Sequence, residues 1–272
     1  MTDTAKRFDV LTVVGLAATA YVVTTLLHEG LGHGGACVAV GGKPVAWAAY
    51  YFDCKTTGLP DWAFRAVAAA GNTVNLVVAL ITCVILQNRL KDPQTPRAAG
   101  TVFLWLMFSL NAFTWAGYFL FSGIAGIGDW GVEEGGVLHG VAHQGVLRVV
   151  MAAFGGVAYF VLGRMAGVMM GWMIGGDNSR QTARKLAWTA YFSGGVMAVL
   201  IGLMNPLGII IVLESSMASS LGGTSGLMWQ HMFAPPAPEA NFTLTRNYLW
   251  IALGVLAAAA YAVVFGPTLK LA

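Results

Sequence analysis

Six stretches, near 10–38, 62–87, 98–127, 147–175, 187–213 and 247–268, are each long and apolar enough to cross a lipid bilayer. A spanning helix needs about 20 mostly apolar residues and must satisfy its own backbone, because hydrocarbon offers no hydrogen-bond partners. This pattern sets the expected fold class as an all-α, polytopic membrane helix bundle of about six transmembrane helices. Composition excludes the soluble alternative: 10% of the residues are charged, against about 25% in soluble domains. A net charge of +3 is too small to suggest nucleic acid.

The segment before residue 10 is polar and the apolar stretch after it is long, which reads as a retained helix, not a cleaved signal. The stretches 88–97 and 175–185 read as plain loops, and 214–246, rich in Ser, Gly and Pro, as a long loop covering one face. With no repeat of fixed period, residues 1–272 form one integral membrane domain. Six crossings put Lys6, Arg7, Arg89, Lys91, Arg97, Arg180, Arg184, Lys185 and Lys270, nine in all, on the side of the N-terminus. Lys43, Lys55, Arg65, Arg148 and Arg246, five, fall on the other. The positive-inside rule then places both termini in the cytoplasm, with a bacterial inner membrane as the expected location. In this topology the outer ends of the first and third spans, and the outer half of the second, bring polar groups to one layer.

Those groups include the trio of "LLHEGLGHGG" (26–35): His28, Glu29 and His33. A titratable side chain at membrane depth costs about 2.5–3.5 kcal/mol at a helix centre and points to function. Two histidines four residues apart lie about 40° apart on a helix and can share a zinc ion, with an adjacent glutamate as general base. Here three residues separate the histidines, which places them about 140° apart on a regular helix. Two ways out are open: a π-bulge that absorbs one residue, or a helix ending near Gly30 with His33 folding back from a loop.

"HEGLGHGGACVAVGGKPV" (28–45) resembles the site-2 protease family of intramembrane zinc metalloproteases, whose first core helix carries HExxH before a Gly-Gly-Lys or Gly-Gly-Arg turn. That family's Gly-Pro-x-x-Asn motif resembles Gly71-Asn72-Thr73-Val74-Asn75, with Asn72 in place of proline. The aspartate of its third core helix resembles Asp129, with Trp130 where glycine is expected. The resemblance covers roughly 10–135 as a three-helix core, leaving 147–268 as additional helices. It implies that His28, His33 and Asp129 hold one Zn2+ per chain, that Glu29 is the base, and that Asn75 orients substrate. The implied activity is hydrolysis of peptide bonds in membrane-embedded proteins. The alternatives are a non-proteolytic metal-binding subunit or assembly factor of a larger membrane complex, and a transporter handling ions or protons through the same residues. The partners in each case are the bilayer and a membrane-protein substrate or partner subunits.

Other polar residues have plainer readings. His139 and His143, four apart, are read as an exposed interfacial pair, and His231 as a loop residue. Cys37, Cys54 and Cys83 suggest no disulfide framework, and Cys37 is read as a packing residue. Arg164 is a basic residue within a span, Pro206 is expected to kink the fifth span, and the methionines of 164–173 pack.

Overall fold

A computed structural model describes residues 8–92, 95–176, 179–206, 209 and 212–271. The chain is an integral membrane protein by its helices. Six helical spans among the described residues are long and apolar enough to cross a bilayer: Val10–Ala39, Asp61–Leu90, Ala99–Ala125, Gln144–Ile174, Ser179–Gly202 and Tyr248–Phe265. The first is composite, running as α1 (Val10–Leu26), a π-helical turn (Leu27–Gly34) and α2 (Gly35–Ala39). Asp9 caps α1, its carboxylate accepting from the Thr12 backbone N–H at 2.9 Å. The others are α3 (Asp61–Leu90), α4 (Ala99–Ala125), α5 (Gln144–Ile174), α6 (Ser179–Gly202) and, last in the chain, α8 (Tyr248–Phe265).

Helix α4 is the hub. Trp105, Phe108, Leu110 and Phe113 are fully or almost fully buried along it, and the Trp105 indole donates to the Ala166 carbonyl of α5 at 3.0 Å. Close packing of this kind, with a few interhelical hydrogen bonds, holds membrane helices together where lipid gives no hydrophobic drive.

The boundaries correct three expectations. The loop of 175–185 is short, because α6 already begins at Ser179. Arg180, Gln181, Arg184 and Lys185 are good helix formers although they lack hydropathy. Helix α6 ends at Gly202, so Asn205 and Pro206 lie in a turn after it and do not kink it. The rest of the span expected over 187–213 includes 207–208 and 210–211, outside the described residues. Strands add a feature the apolar pattern did not carry: β1 (Lys43–Ala48) and β2 (Tyr51–Lys55) form an antiparallel hairpin, and β3 (Leu269–Lys270) pairs with β1, giving the order β2-β1-β3. Cys37 and Cys54 are joined in a disulfide that ties the hairpin to α2. This overturns the reading of Cys37 as a packing residue, and a pair 17 residues apart has no signature in spacing alone.

The largest correction concerns 214–246. Ser216 sits against Gly202 at the hairpin end of the bundle. From there the chain runs through a π-helical segment (Val212–Gly222), α7 (Gly226–Trp229), a 3-10 turn (Gln230–Phe233) and extended chain. At the opposite end Phe242 bridges to Arg97 and Leu244 to Phe8. The segment thus crosses the bundle as a seventh, irregular pass. It seats on α5 where Gly163, Gly167, Gly171 and Gly175 leave room for Trp229, Gln230, Pro235 and Pro238. Irregular backbone at membrane depth is tolerated when protein covers it, and Ser216, Ser220, Thr224, Leu227, Gln230 and Ala234 are all buried.

An extra pass changes parity. Helix α8 runs parallel to α1, starting beside Asp9, to which Arg246 is paired at 3.1 Å, and ending where the Phe265 carbonyl accepts from Ala49 of the hairpin. Phe8 and Leu271, the first and last described residues, therefore lie at opposite ends of the bundle, not together as expected from six crossings.

Candidate metal centre

The extra residue between the histidines is absorbed by the π-helical turn Leu27–Gly34. Bonds from i to i+5 widen the helix so that residues five apart align, and the Gly35 N–H bonds the Gly30 carbonyl in that pattern. The glycines permit close neighbours on both sides. A Cβ at Gly30 would fall 2.5 Å from the Trp47 ring of β1, and one at Gly32 would fall 2.5 Å from the Gly71 Cα of α3.

The two Nε2 atoms of His28 and His33 are 3.1 Å apart. Asp129 Oδ2 lies 3.2 Å from the first and 3.5 Å from the second. The aspartate follows α4, whose last turn is closed by Arg148 donating to the Gly123 and Ile124 carbonyls. Gly126 and Gly128, with φ of 83° and 82°, turn the chain back toward the bundle. Trp130 fixes the loop from the other side: in the orientation its neighbours require, Asn72 accepts from Trp130 Nε1 at 3.1 Å and donates to the Trp115 carbonyl at 3.2 Å.

Hydrogen bonding settles what the imidazoles present. His33 Nδ1 lies 2.7 Å from the Val67 carbonyl, which only accepts, so Nδ1 carries the proton and Nε2 a lone pair. For His28 the same result comes through a relay. Asn111 Nδ2 donates to the Met107 carbonyl at 2.8 Å and to Thr24 Oγ1 at 3.1 Å, which fixes its amide. Its Oδ1 therefore accepts from Asn75 Nδ2 at 2.8 Å, and Asn75 Oδ1 accepts from His28 Nδ1 at 2.6 Å. With both rings neutral, two lone pairs and a carboxylate oxygen converge, and Asp129 Oδ2 has no hydrogen-bond partner.

Such a donor set fits a cation. A tetrahedral zinc with bonds of about 2.0–2.1 Å places its ligand atoms about 3.3 Å apart, close to the 3.1, 3.2 and 3.5 Å found here. Space is kept by Gly71, where a Cβ would stand 2.5 and 2.6 Å from the two Nε2 atoms. Glu29 is buried at 5% exposure, with Oε2 unpartnered. It lines a cleft of about 660 Å³ together with His33, Asp129, Tyr118 and β2.

His28, Glu29, His33 and Asp129 thus come together as expected. Asn75 does not line the cleft. At 0% exposure both ends of its amide are engaged, and it orients His28. His139 and His143 are exposed and share no helix; the first reaches the cleft rim and the second precedes α5 with φ of 58°. Arg164 is exposed on α5 and makes no hydrogen bond or ion pair among the described residues. Sequence reasoning missed Asn111 and Tyr118, the latter stacked on His28 at 5.1 Å. A lone amide within the apolar run of α4 was the available signal for Asn111. Compared with protein-family models, curated proteins and solved structures, the chain matches none.

Proposed function

We propose that the chain is an intramembrane zinc metalloprotease of the site-2-protease type, with its cleft opening on the extracytoplasmic side. The observation that carries this reading is the meeting of His28 Nε2, His33 Nε2 and Asp129 Oδ2 without a donor, beside an unpartnered buried glutamate. His28, His33 and Asp129 hold the zinc, and Asn75, Asn111 and the Val67 carbonyl hold the two imidazoles in their ligating tautomers. When bound, zinc supplies Lewis acidity, polarising a carbonyl and acidifying water.

Glu29 takes the proton of the attacking water and returns it to the leaving amine. The outer edge of β2 has no strand neighbour among the described residues, and Tyr51–Lys55 line the cleft. An unwound segment of a membrane protein pairs with that edge and presents its backbone to the site.

Two independent features support the orientation. Disulfides persist in oxidising compartments, and the Cys37–Cys54 bond supports a hairpin end lying outside. The corrected topology moves Arg246 to the N-terminal side and Lys270 to the hairpin side, so the basic count stays nine against five.

The test is metal content of the purified protein beside His28→Ala and Asp129→Ala, followed by cleavage of fluorescein-labelled casein in detergent micelles. The expected result is one zinc per chain, lost in both variants, with Glu29→Gln retaining zinc and losing cleavage. Intact protein without metal, or cleavage that survives Glu29→Gln, overturns the reading.

A further inference from the structure

Behind Glu29, deeper in the bundle, lies a second and smaller chamber of about 40 Å³. Its wall is made by α1, by Leu110, Thr114 and Tyr118 of α4, by Tyr50 and by the irregular seventh pass, and ten of the thirteen residues lining it bear a hydroxyl. A polar space of this size holds about one to three waters, provided partners are present.

Five of the ten hydroxyls in the wall have their protons engaged with protein atoms. Thr25 donates to the Tyr21 carbonyl, Ser219 to the Ser215 carbonyl and Thr224 to the Ser220 carbonyl. Because the Thr224 proton is engaged, Tyr21 Oη is the donor in its 2.8 Å bond to Thr224 Oγ1. Thr24 Oγ1 accepts from Asn111 and points its own proton toward Met107 Sδ. Those five hydroxyls present lone pairs, and Glu29 adds an unpartnered carboxylate oxygen. Acceptors in a polar chamber call for an occupant that donates, and water donates twice.

We infer that this chamber holds a small water cluster hydrogen-bonded to Glu29, a reservoir that supplies the reacting water when a bound chain fills the outer cleft. The presence of water follows from the chamber itself; its hydrolytic role rests on the function proposed above. Glu29, Tyr118 and Ser219 line both cavities, so a molecule in the chamber has a direct path to the base.

Synchrotron hydroxyl-radical footprinting of the purified protein in detergent tests this, since radicals formed from bound water label adjacent buried side chains. Tyr21 is the reporter: it lines the chamber and not the cleft, and is buried at 4% exposure. Tyr261, at 2% and lining neither cavity, is the dry control, and Tyr51 of the cleft the wet one. The expected result is Tyr21 labelling well above Tyr261, lost in Ser219→Leu and kept in Ser219→Ala. Wild-type Tyr21 labelling no faster than Tyr261 overturns the inference whatever the variants do, and leaves the metal reading untouched. With casein, Ser219→Leu is expected to lower kcat with KM unchanged and zinc retained. Labelled Tyr21 with full turnover in Ser219→Leu removes the reservoir role alone.

Discussion

Asn72 and Trp130, two of the positions at which the sequence differs from the motifs of the proposed family, are hydrogen-bonded to each other at 3.1 Å. One departure answers the other. An asparagine on α3 gives an indole on the Asp129 loop its acceptor, so the loop is tied to the helix that carries Gly71 and Asn75. Asn72→Ala and Trp130→Phe are each expected to weaken zinc affinity about three- to tenfold, the value of one neutral hydrogen bond of roughly 1 kcal/mol. The double variant is expected to lose little more than either single one. Chelator competition measures this, and full additivity would mean that the two side chains act separately.

Gly71→Ala is expected to abolish zinc binding while the helices remain folded, because the added methyl occupies the space between the two Nε2 atoms. Gly35→Ala is the control: its Cβ would meet only Leu31 Cδ1, at 4.0 Å. Metal content and circular dichroism of both variants suffice. Zinc retained in Gly71→Ala would place the ion elsewhere.

Asn111 touches no metal, yet it orients Asn75 and through it His28. Asn111→Leu is expected to cost about 10- to 100-fold in zinc affinity, the usual effect of removing a group that orients a ligand. Unchanged affinity would show that the His28 tautomer is held without the relay.

Opposite chain ends make a simple prediction for reporter fusions. A fluorescent protein at the N-terminus is expected to fluoresce in the cytoplasm, and alkaline phosphatase at the C-terminus to be active outside it. A C-terminal phosphatase that stays inactive, beside a C-terminal fluorescent fusion that glows, would return both termini to one side.

The six long spans were legible because a helix facing lipid must be apolar along its length, and the convergence of His28, His33 and Asp129 followed from span order alone. The π-helical turn was legible only as one of two options, since Gly30, Gly32, Gly34 and Gly35 permit either. Residues 212–244 were not legible as a crossing, because a segment wrapped in protein need not be apolar, and its Ser, Thr and Gln face neighbours in place of lipid. The disulfide was hidden because Cys37 lies on a membrane helix and Cys54 on a hairpin that hydropathy does not register.

The seventh pass has a consequence for how the chain is made. Insertion machinery selects segments by their affinity for hydrocarbon, and this one has little to offer on its own. If it were passed over, α8 would enter in the reverse sense and Arg246 would be stranded away from Asp9. In the folded protein the pass is sheltered by α5, whose glycines seat it. A truncation after α6 therefore removes both a wall of the chamber and β3, one of the two strands paired with β1.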